Sequence, residues 1–453
     1  MNFNKNLKDY ARSIIPIYTK ELIDLVKIPS ISHGNKNKKD LLNILKKISK
    51  TTKKYGFKTK IIETKGNPVF VGILETGKKK PWLTIYNHLD VQPAKEKEWK
   101  TNPFKPIVKQ GKVIGRGTTD DKGPALTIIH AINFLKKYNY EMPNIQLIYE
   151  TEEEIGSPNF GSFLKKNKLK TPDSILISDT LFQGKNPSLT YRLRGIQVLE
   201  LELETGKKEL HSGVLGNAVK NPLNILIDAL SKCVDEKRNV LIPGFYDNVK
   251  KIKGRELKEL KNVAKRFSLK KFKDDTKAEL YEENPLKLLF NIWYKPSFEI
   301  HGFEGIQYEP NVIKTSIPNK VKAKVTIRLV PGQKPKEIVK KLQKHVKKIH
   351  PKIKVITLDS VEASVTDINN KFMVKAKEAC KYGFNLEPLF VATGGTIGSV
   401  HHFQKAYKKP IILIAQSLLS DGYHAPNEYF SLKQAEKGIK TMAKYINSIA
   451  DFD

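Results

Sequence analysis

Cysteine is almost missing from this chain: Cys233 and Cys380 are the only two in 453 residues. So few exclude a disulfide framework and point to a reducing compartment, with two buried free thiols as the plain reading. Long apolar runs are also missing. Nothing approaches the ~20 residues of a membrane span, and residues 1–20 mix Asn, Lys, Asp and Arg without the apolar core of a secretory signal. The expectation is a soluble, cytoplasmic protein. Arginine is scarce, at 8 of the 81 basic residues. A net charge of +34 would ordinarily suggest nucleic acid or an anionic membrane. Phosphate recognition, however, recruits the planar guanidinium, and the lysines are spread along the chain with only short clusters near 78–80 and 270–273. They read as solvated surface that can draw in acidic substrates, with no specific nucleic-acid partner and no membrane. Neither HExxH nor GxSxG occurs, so single-zinc gluzincin and serine hydrolase readings lose their usual signatures.

What is present is ample core material, 39% hydrophobic, in a chain longer than one core normally serves. Residues 82–86 (WLTIY), 145–149 (IQLIY) and 175–178 (ILIS) read as buried strands, with a helix opening at Gly123-Pro124 between the first two. From about Arg192 the pattern changes. Residues 197–204 alternate apolar and acidic positions, a strand with one wet face. Helix 222–234, strands 298–302 and 321–330, helix 336–349 and strand 353–358 follow, a β-α-β-β-α-β order of the ferredoxin type with a Lys-rich helical insertion. Helix 370–382, strand 410–415 and helix 432–449 then resume the first pattern. The reading is an α/β catalytic domain with a central mixed sheet flanked by helices (1–191 and 366–453), interrupted by an inserted α+β domain at 192–365.

Candidate metal ligands stand directly after the predicted strands, where an open α/β sheet places its binding crevice. They are His88 and Asp90, Asp120 and Asp121, the run Glu152-Glu153-Glu154, Asp179, and His424. Singly, each would be a turn residue or cap. Together they require cations, because clustered carboxylates repel one another unless neutralised. Imidazole and carboxylate without thiolate suit zinc, and manganese or cobalt also meet the requirements of affinity and geometry. The ligand count suggests two divalent ions per chain. Such a pair, ~3.5–4 Å apart and sharing a carboxylate and a water, polarises a carbonyl and supplies hydroxide near neutral pH. A glutamate from the 152–154 run that binds no metal could take the water's proton.

At these residues the sequence resembles the aminoacylase, carnosinase and glutamate carboxypeptidase superfamily of dinuclear metallopeptidases, above all its carnosinase-like dipeptidase branch. The resemblance begins at Leu25-Val-Lys-Ile-Pro-Ser-Ile-Ser32 and covers nearly the whole chain. His88-Leu-Asp-Val-Gln-Pro93 resembles the first metal motif, which implies His88 as ligand and Asp90 as the group orienting its ring. Gly115-Arg-Gly-Thr-Thr-Asp-Asp-Lys-Gly123 implies Asp120 as the bridging ligand, and Glu153-Glu154-Ile155-Gly156 implies Glu153 as general base and Glu154 as ligand. Asp179 and His424 match the remaining ligands. The resemblance further implies a lid domain that mediates a homodimer. It makes His211 of His211-Ser212-Gly213 the group that polarises the scissile carbonyl in the partner's site. It places Thr315 and Arg328 on the substrate carboxylate, and Gly394, Gly395 and Thr396 in a substrate loop.

The sequence departs from the branch at that loop: Ala392-Thr393 stands where Arg-Glu is common, Thr396 where Ser is usual, and Gly398 where Pro is common. Dipeptide hydrolysis is the reading these motifs support. N-acyl amino acid deacylation or desuccinylation within the same superfamily is the enzymatic alternative, and a basic nucleic-acid-binding protein on a degenerate hydrolase fold is the distant one. Of the other histidines, His401 and His402 are adjacent and so diverge on a helix, His130 reads as structural, and His345 and His350 read as surface residues of a Lys-rich helix.

Overall fold

A computed structural model describes residues 2–34, 37–306, 311, 313 and 315–452. The chain divides into two compact units. One comprises Met1–Tyr191, Thr366–Val391 and Ile397–Asp453; the other comprises Arg192–Val365 together with Ala392–Thr396. The glycine loop, flanked in sequence by first-unit segments, thus belongs to the second unit.

The first unit is built on a mixed sheet. Asn144–Glu150, Trp82–His88, Ser174–Ile177 and Ile411–Ile414 lie side by side in parallel. Val69–Leu74 and Lys58–Ile62 add antiparallel strands beyond Asn144–Glu150, and Ser188–Leu193 adds one beside Ile411–Ile414. The four parallel strands are buried almost throughout, which is why they read as continuous apolar runs rather than as alternation. Their few polar side chains satisfy one another; Gln146 Nε2 donates to Thr84 Oγ1 at 2.9 Å. Helix Gly123–Lys137 carries Pro124 in its first turn, where the missing N–H costs nothing, and is buried over nearly its whole length. It packs against Leu432–Ser448, which also packs against Lys371–Phe384. Because the central strands are parallel, their carboxyl ends share one edge. His88 and Glu150 end their strands there in register, and Asp179 follows Ile177.

The second unit is a four-stranded antiparallel sheet of Gly195–Glu204, Ser297–Glu304, Lys320–Leu329 and Lys354–Val361, in spatial order second, third, first, fourth. Helices Pro222–Ser231 and Pro335–Lys347 complete the ferredoxin-type unit, and the Lys-rich insertion forms helices Gly254–Arg266, Leu269–Thr276 and Pro285–Trp293. Leu199, Leu201 and Leu203 enter its core. On the opposite face Lys320 pairs with Glu202 at 2.7 Å and Lys322 with Glu200 at 3.4 Å, so part of the lysine excess is a cross-strand charge ladder. Cys233 and Cys380 are both buried and free. His350, expected on a surface helix, lies beyond the helix end and is buried. Among the described residues no helix is long and apolar enough to cross a membrane.

Candidate metal centre

His88 and Asp179 are delivered by neighbouring parallel strands, so their spacing is set by the sheet. His88 is fully buried. Its Nε2 lies 2.9 Å from Asp120 Oδ1 and 3.9 Å from Asp179 Oδ2. Its Nδ1 faces Asp90, 3.1 Å from the backbone carbonyl and 3.5 Å from the carboxylate. The ring is therefore held mainly by the carbonyl, while the Asp90 carboxylate accepts the backbone N–H groups of Glu153 at 3.3 Å and Glu154 at 3.0 Å.

Asp120 sits in the irregular turn Thr118–Lys122, entered through Gly117 at φ 88°, a left-handed conformation suited to glycine. The second Asp120 oxygen, Oδ2, is 2.9 Å from His424 Nε2, which in turn is 3.3 Å from Glu154 Oε2. Donor atoms of His88, Asp120 and Asp179 lie within 4.8 Å of one another, as do those of Asp120, Glu154 and His424. Two three-residue donor sets thus share a single aspartate. The five candidate ligands converge, all within the first unit.

The three glutamates separate by what they touch. Glu152 is committed to structure, accepting the Asn67 backbone N–H at 2.8 Å and the Asn159 amide at 3.0 Å. Glu154 accepts the Gln92 amide at 2.7 Å and turns toward His424. Glu153, on the short turn Glu153–Ile155, is the member raised well above the usual carboxylate range, first by burial and then by the charge of Asp179. Asp121, adjacent to Asp120, is not in either donor set; it accepts the Asn87 amide at 2.6 Å.

The electrostatics show a site short of positive charge. Burial opposes a charged His88 ring, yet contacts with Asp120 and Asp90 push its pKa well above the usual imidazole value. Contacts with Asp120 and Glu154 hold His424 up to about 10. Burial raises Asp179 to about 6, whereas Asp120, despite its burial, is held well below the usual range by His424 and His88. Both rings thus favour a proton, a positive charge that a bound cation would replace. Metal binding requires neutral imidazole and ionised carboxylate, and would release those protons. Asp120 Oδ2 is buried without a hydrogen bond of good geometry, a lone-pair donor facing the gap between the imidazoles and carboxylates. The donor set therefore fits a pair of divalent ions bound through nitrogen and oxygen.

The remaining sequence candidates lie in the second unit and form two groups. Arg328 Nη1 donates to Thr396 Oγ1 at 3.0 Å, and that hydroxyl donates to the Arg194 carbonyl at 2.6 Å. Arg194 Nε holds the Gly394 carbonyl at 3.1 Å. A Cβ on Gly394 would meet Arg194 Nη2 at 2.8 Å and the Ile292 carbonyl oxygen at 3.0 Å, so a side chain there would displace the Arg194 contact. The Gly395 N–H bonds Thr393 Oγ1 at 3.1 Å. Separately, His211 and Thr315 are exposed on a short ladder: Leu210–His211 pairs with Ser316–Ile317, and Ser212 N–H reaches the Thr315 carbonyl at 3.0 Å.

Sequence reasoning missed Asn87, Gln92, Arg194, Tyr423 and Glu428. Tyr423 donates its hydroxyl to Asp179. Glu428 is fully buried and collects donors from the turn that carries Asp120. Tyr423 had a signal, its place beside His424; a buried glutamate serving backbone amides has none in a single sequence.

The profile of peptidase family M20/M25/M40 matches residues 84–448. The Beta-Ala-His dipeptidase of Mus musculus is 31% identical over 397 residues, covering 83% of this chain and 79% of that protein. The Cys-Gly metallodipeptidase of Saccharomyces cerevisiae is 31% identical over 463 residues, covering 96% of this chain and 95% of that one. Among solved structures, an M20 family metallo-carboxypeptidase from Sulfolobus solfataricus superposes with a TM-score of 0.85 at 29% identity, covering 96% of this chain and 99% of that one. With the profile spanning both ends of the donor set, from His88 to His424, this chain belongs to peptidase family M20/M25/M40.

Proposed function

We propose that this protein is a cytoplasmic dinuclear metallodipeptidase that hydrolyses the amide bond of dipeptides bearing a free carboxylate. The observation that carries this reading is the pair of donor triads sharing Asp120 with Glu153 beside them. His88 and Asp179 would hold one ion and Glu154 and His424 the other, with Asp120 common to both sets. Zinc suits this set, and manganese and cobalt fit the same donors. When bound, such a pair polarises the scissile carbonyl and supplies a nucleophile at neutral pH.

The protein's own groups do the rest. Asp90 fixes the His88 ring and the Glu153-Glu154 backbone together. Glu153, whose proton affinity is raised by burial, takes the proton of the attacking water and returns it to the leaving nitrogen, without which amide cleavage stalls. In the second unit, Arg328 offers the fork that a carboxylate prefers, and Thr396 with Gly394 and Gly395 lines the loop beside it. Thr315, which lies beside the His211 ladder and apart from the Arg328 group, would reach the same substrate carboxylate from there. His211 acts on the partner's site in a homodimer assembled through the unit at 192–365.

Relatives named for dipeptides of different composition support a dipeptide substrate over an N-acyl amino acid. The test is a panel of dipeptides, longer peptides and N-acyl amino acids assayed with zinc, manganese and cobalt. Dipeptide turnover that chelation abolishes and two ions per chain restore is expected. Preference for N-acyl amino acids, or one tightly bound ion in fully active protein, overturns the reading.

A further inference from the structure

The Glu428 side chain is entirely buried and both carboxylate oxygens are saturated. Oε2 accepts Arg116 Nη1 at 2.8 Å and the Gly117 N–H at 2.9 Å, and Oε1 accepts the Thr119 N–H at 2.8 Å and the Asp120 N–H at 3.1 Å. Four donors fill the four lone-pair directions a carboxylate offers. Three are backbone groups of the turn that aims Asp120; the fourth, Arg116, reaches the His424 carbonyl through Nη2 at 3.5 Å. The Glu428 carbonyl also accepts the Gly115 N–H at 2.9 Å, and Tyr429 pairs with Ile114 at the start of an antiparallel ladder. Two chain segments about 300 residues apart are thereby locked together, one carrying Asp120 and the other His424.

The two donor triads are supported differently. His88 and Asp179 belong to strand ends whose spacing is fixed by parallel register. His424, by contrast, sits in a loop with φ 58°, four residues before Glu428 and with no strand of its own. We propose that Glu428 is a positioning residue that sets Asp120 and His424, and so governs affinity for the second ion, which depends on both, more than for the first, which also keeps His88 and Asp179 on strand ends. This rests on the paired-ion reading above. It makes two triads of like donors unequal in how they are held.

Glu428→Gln keeps the shape but replaces two acceptor directions with an N–H₂ facing N–H donors. Metal-free full-length protein is titrated with Co²⁺, following heat and visible absorption, and its thermal unfolding is recorded without metal. Loss of an outer partner typically costs 10–100-fold in affinity, so the second Co²⁺ should weaken by roughly that factor and the first, which shares only Asp120 with it, by clearly less. The d–d band of the second ion should change. Arg116→Lys removes the fork that joins Glu428 to the His424 carbonyl and should give a smaller shift in the same sense; it carries the test if Glu428→Gln does not fold. Equal weakening of both ions in the folded variant, or unaltered second-ion affinity, overturns the assignment. A purely structural role would lower the melting temperature and leave the ratio of the two affinities unchanged. If the unmodified protein binds two ions yet cleaves no dipeptide, the proposed function falls and the Glu428 assignment stands.

Discussion

The Asp90 carboxylate accepts the backbone N–H of Glu154 at 3.0 Å, while the Asp90 carbonyl faces His88 Nδ1 at 3.1 Å. One residue therefore ties a candidate ligand of the first ion to one of the second. Asp90→Asn retains the carbonyl and removes charge and one acceptor. Metal affinity and kcat/KM should each fall by roughly 10–100-fold, as for other outer partners of ligands. Unchanged zinc affinity by calorimetry would reduce Asp90 to a turn residue.

The adjacent glutamates give the sharpest division of roles. Glu153→Gln should keep both ions and the native fold while kcat falls by about 10²–10⁴, the usual cost of losing a general acid–base group. Glu154→Gln should instead lose metal, as seen by elemental analysis after dialysis. Glu152→Gln tests the remaining member: its oxygens already serve Asn67 and Asn159, so it should affect stability and leave kcat close to that of the unmodified protein.

The strand ends and Asp120 were legible in the sequence because each follows an apolar run or a glycine-bounded turn. Glu152, Glu153 and Glu154 are alike in chemistry, and the neighbours that distinguish them, such as Asn67 at 85 residues from Glu152, come together only in the fold. Glu428 was invisible for a related reason: it serves backbone amides at 117, 119 and 120, which leave no side-chain signature. The strands Lys58–Ile62 and Val69–Leu74 went unread too, the former because its exposed lysines hide an edge strand. The glycine loop was legible as a motif, but its grouping with the second unit follows from Arg194 gripping Gly394, a contact across 200 residues.

Glu150 gives a pH dependence. It ends its strand fully buried, accepting hydroxyls from Tyr86 and Ser157. Burial raises its pKa from an ordinary 4.5 to about 8, against the pull of Tyr86. The folded state thus favours the protonated acid. Its stabilising contribution is complete below about pH 4.5 and is lost as pH rises through about 8. The melting temperature of metal-free protein should decline across that window, and Glu150→Gln should flatten the decline. A slope that persists in the variant would assign it to another group.

Arg328 donates one guanidinium nitrogen to Thr396, and among the described residues no carboxylate forms an ion pair with it. A planar fork without an acidic partner suits an incoming carboxylate better than a point charge does. Arg328→Lys should therefore raise KM for dipeptides roughly tenfold or more, a loss of about 1.5–3 kcal/mol for a charged hydrogen bond, with both ions retained. Carboxyl-amidated dipeptides should be poor substrates for the unmodified protein and indifferent to the substitution. Equal turnover of free and amidated substrates would remove Arg328 from the substrate contact.

His211 accepts the Gly213 backbone N–H at Nδ1, 3.1 Å away. That bond assigns the neutral ring its proton on Nε2, leaving a donor directed by an exposed turn. A donor that is to polarise a carbonyl must reach a reacting site, which under the proposed function is the partner's. Two consequences can be separated. His211→Ala should retain both ions and lose kcat, because the donor acts on the carbonyl and not on the metal. Mixed with Glu153→Gln protein, which lacks the base but keeps its own His211, it should form heterodimers in which one site has both an intact base and an intact histidine. Neither parent is active, so the mixture should recover up to about a quarter of the unmodified rate for random reassortment of symmetric dimers. No recovery after demonstrated subunit exchange would place His211 in its own chain's site or outside catalysis. A full-rate monomer by sedimentation would exclude action in trans altogether.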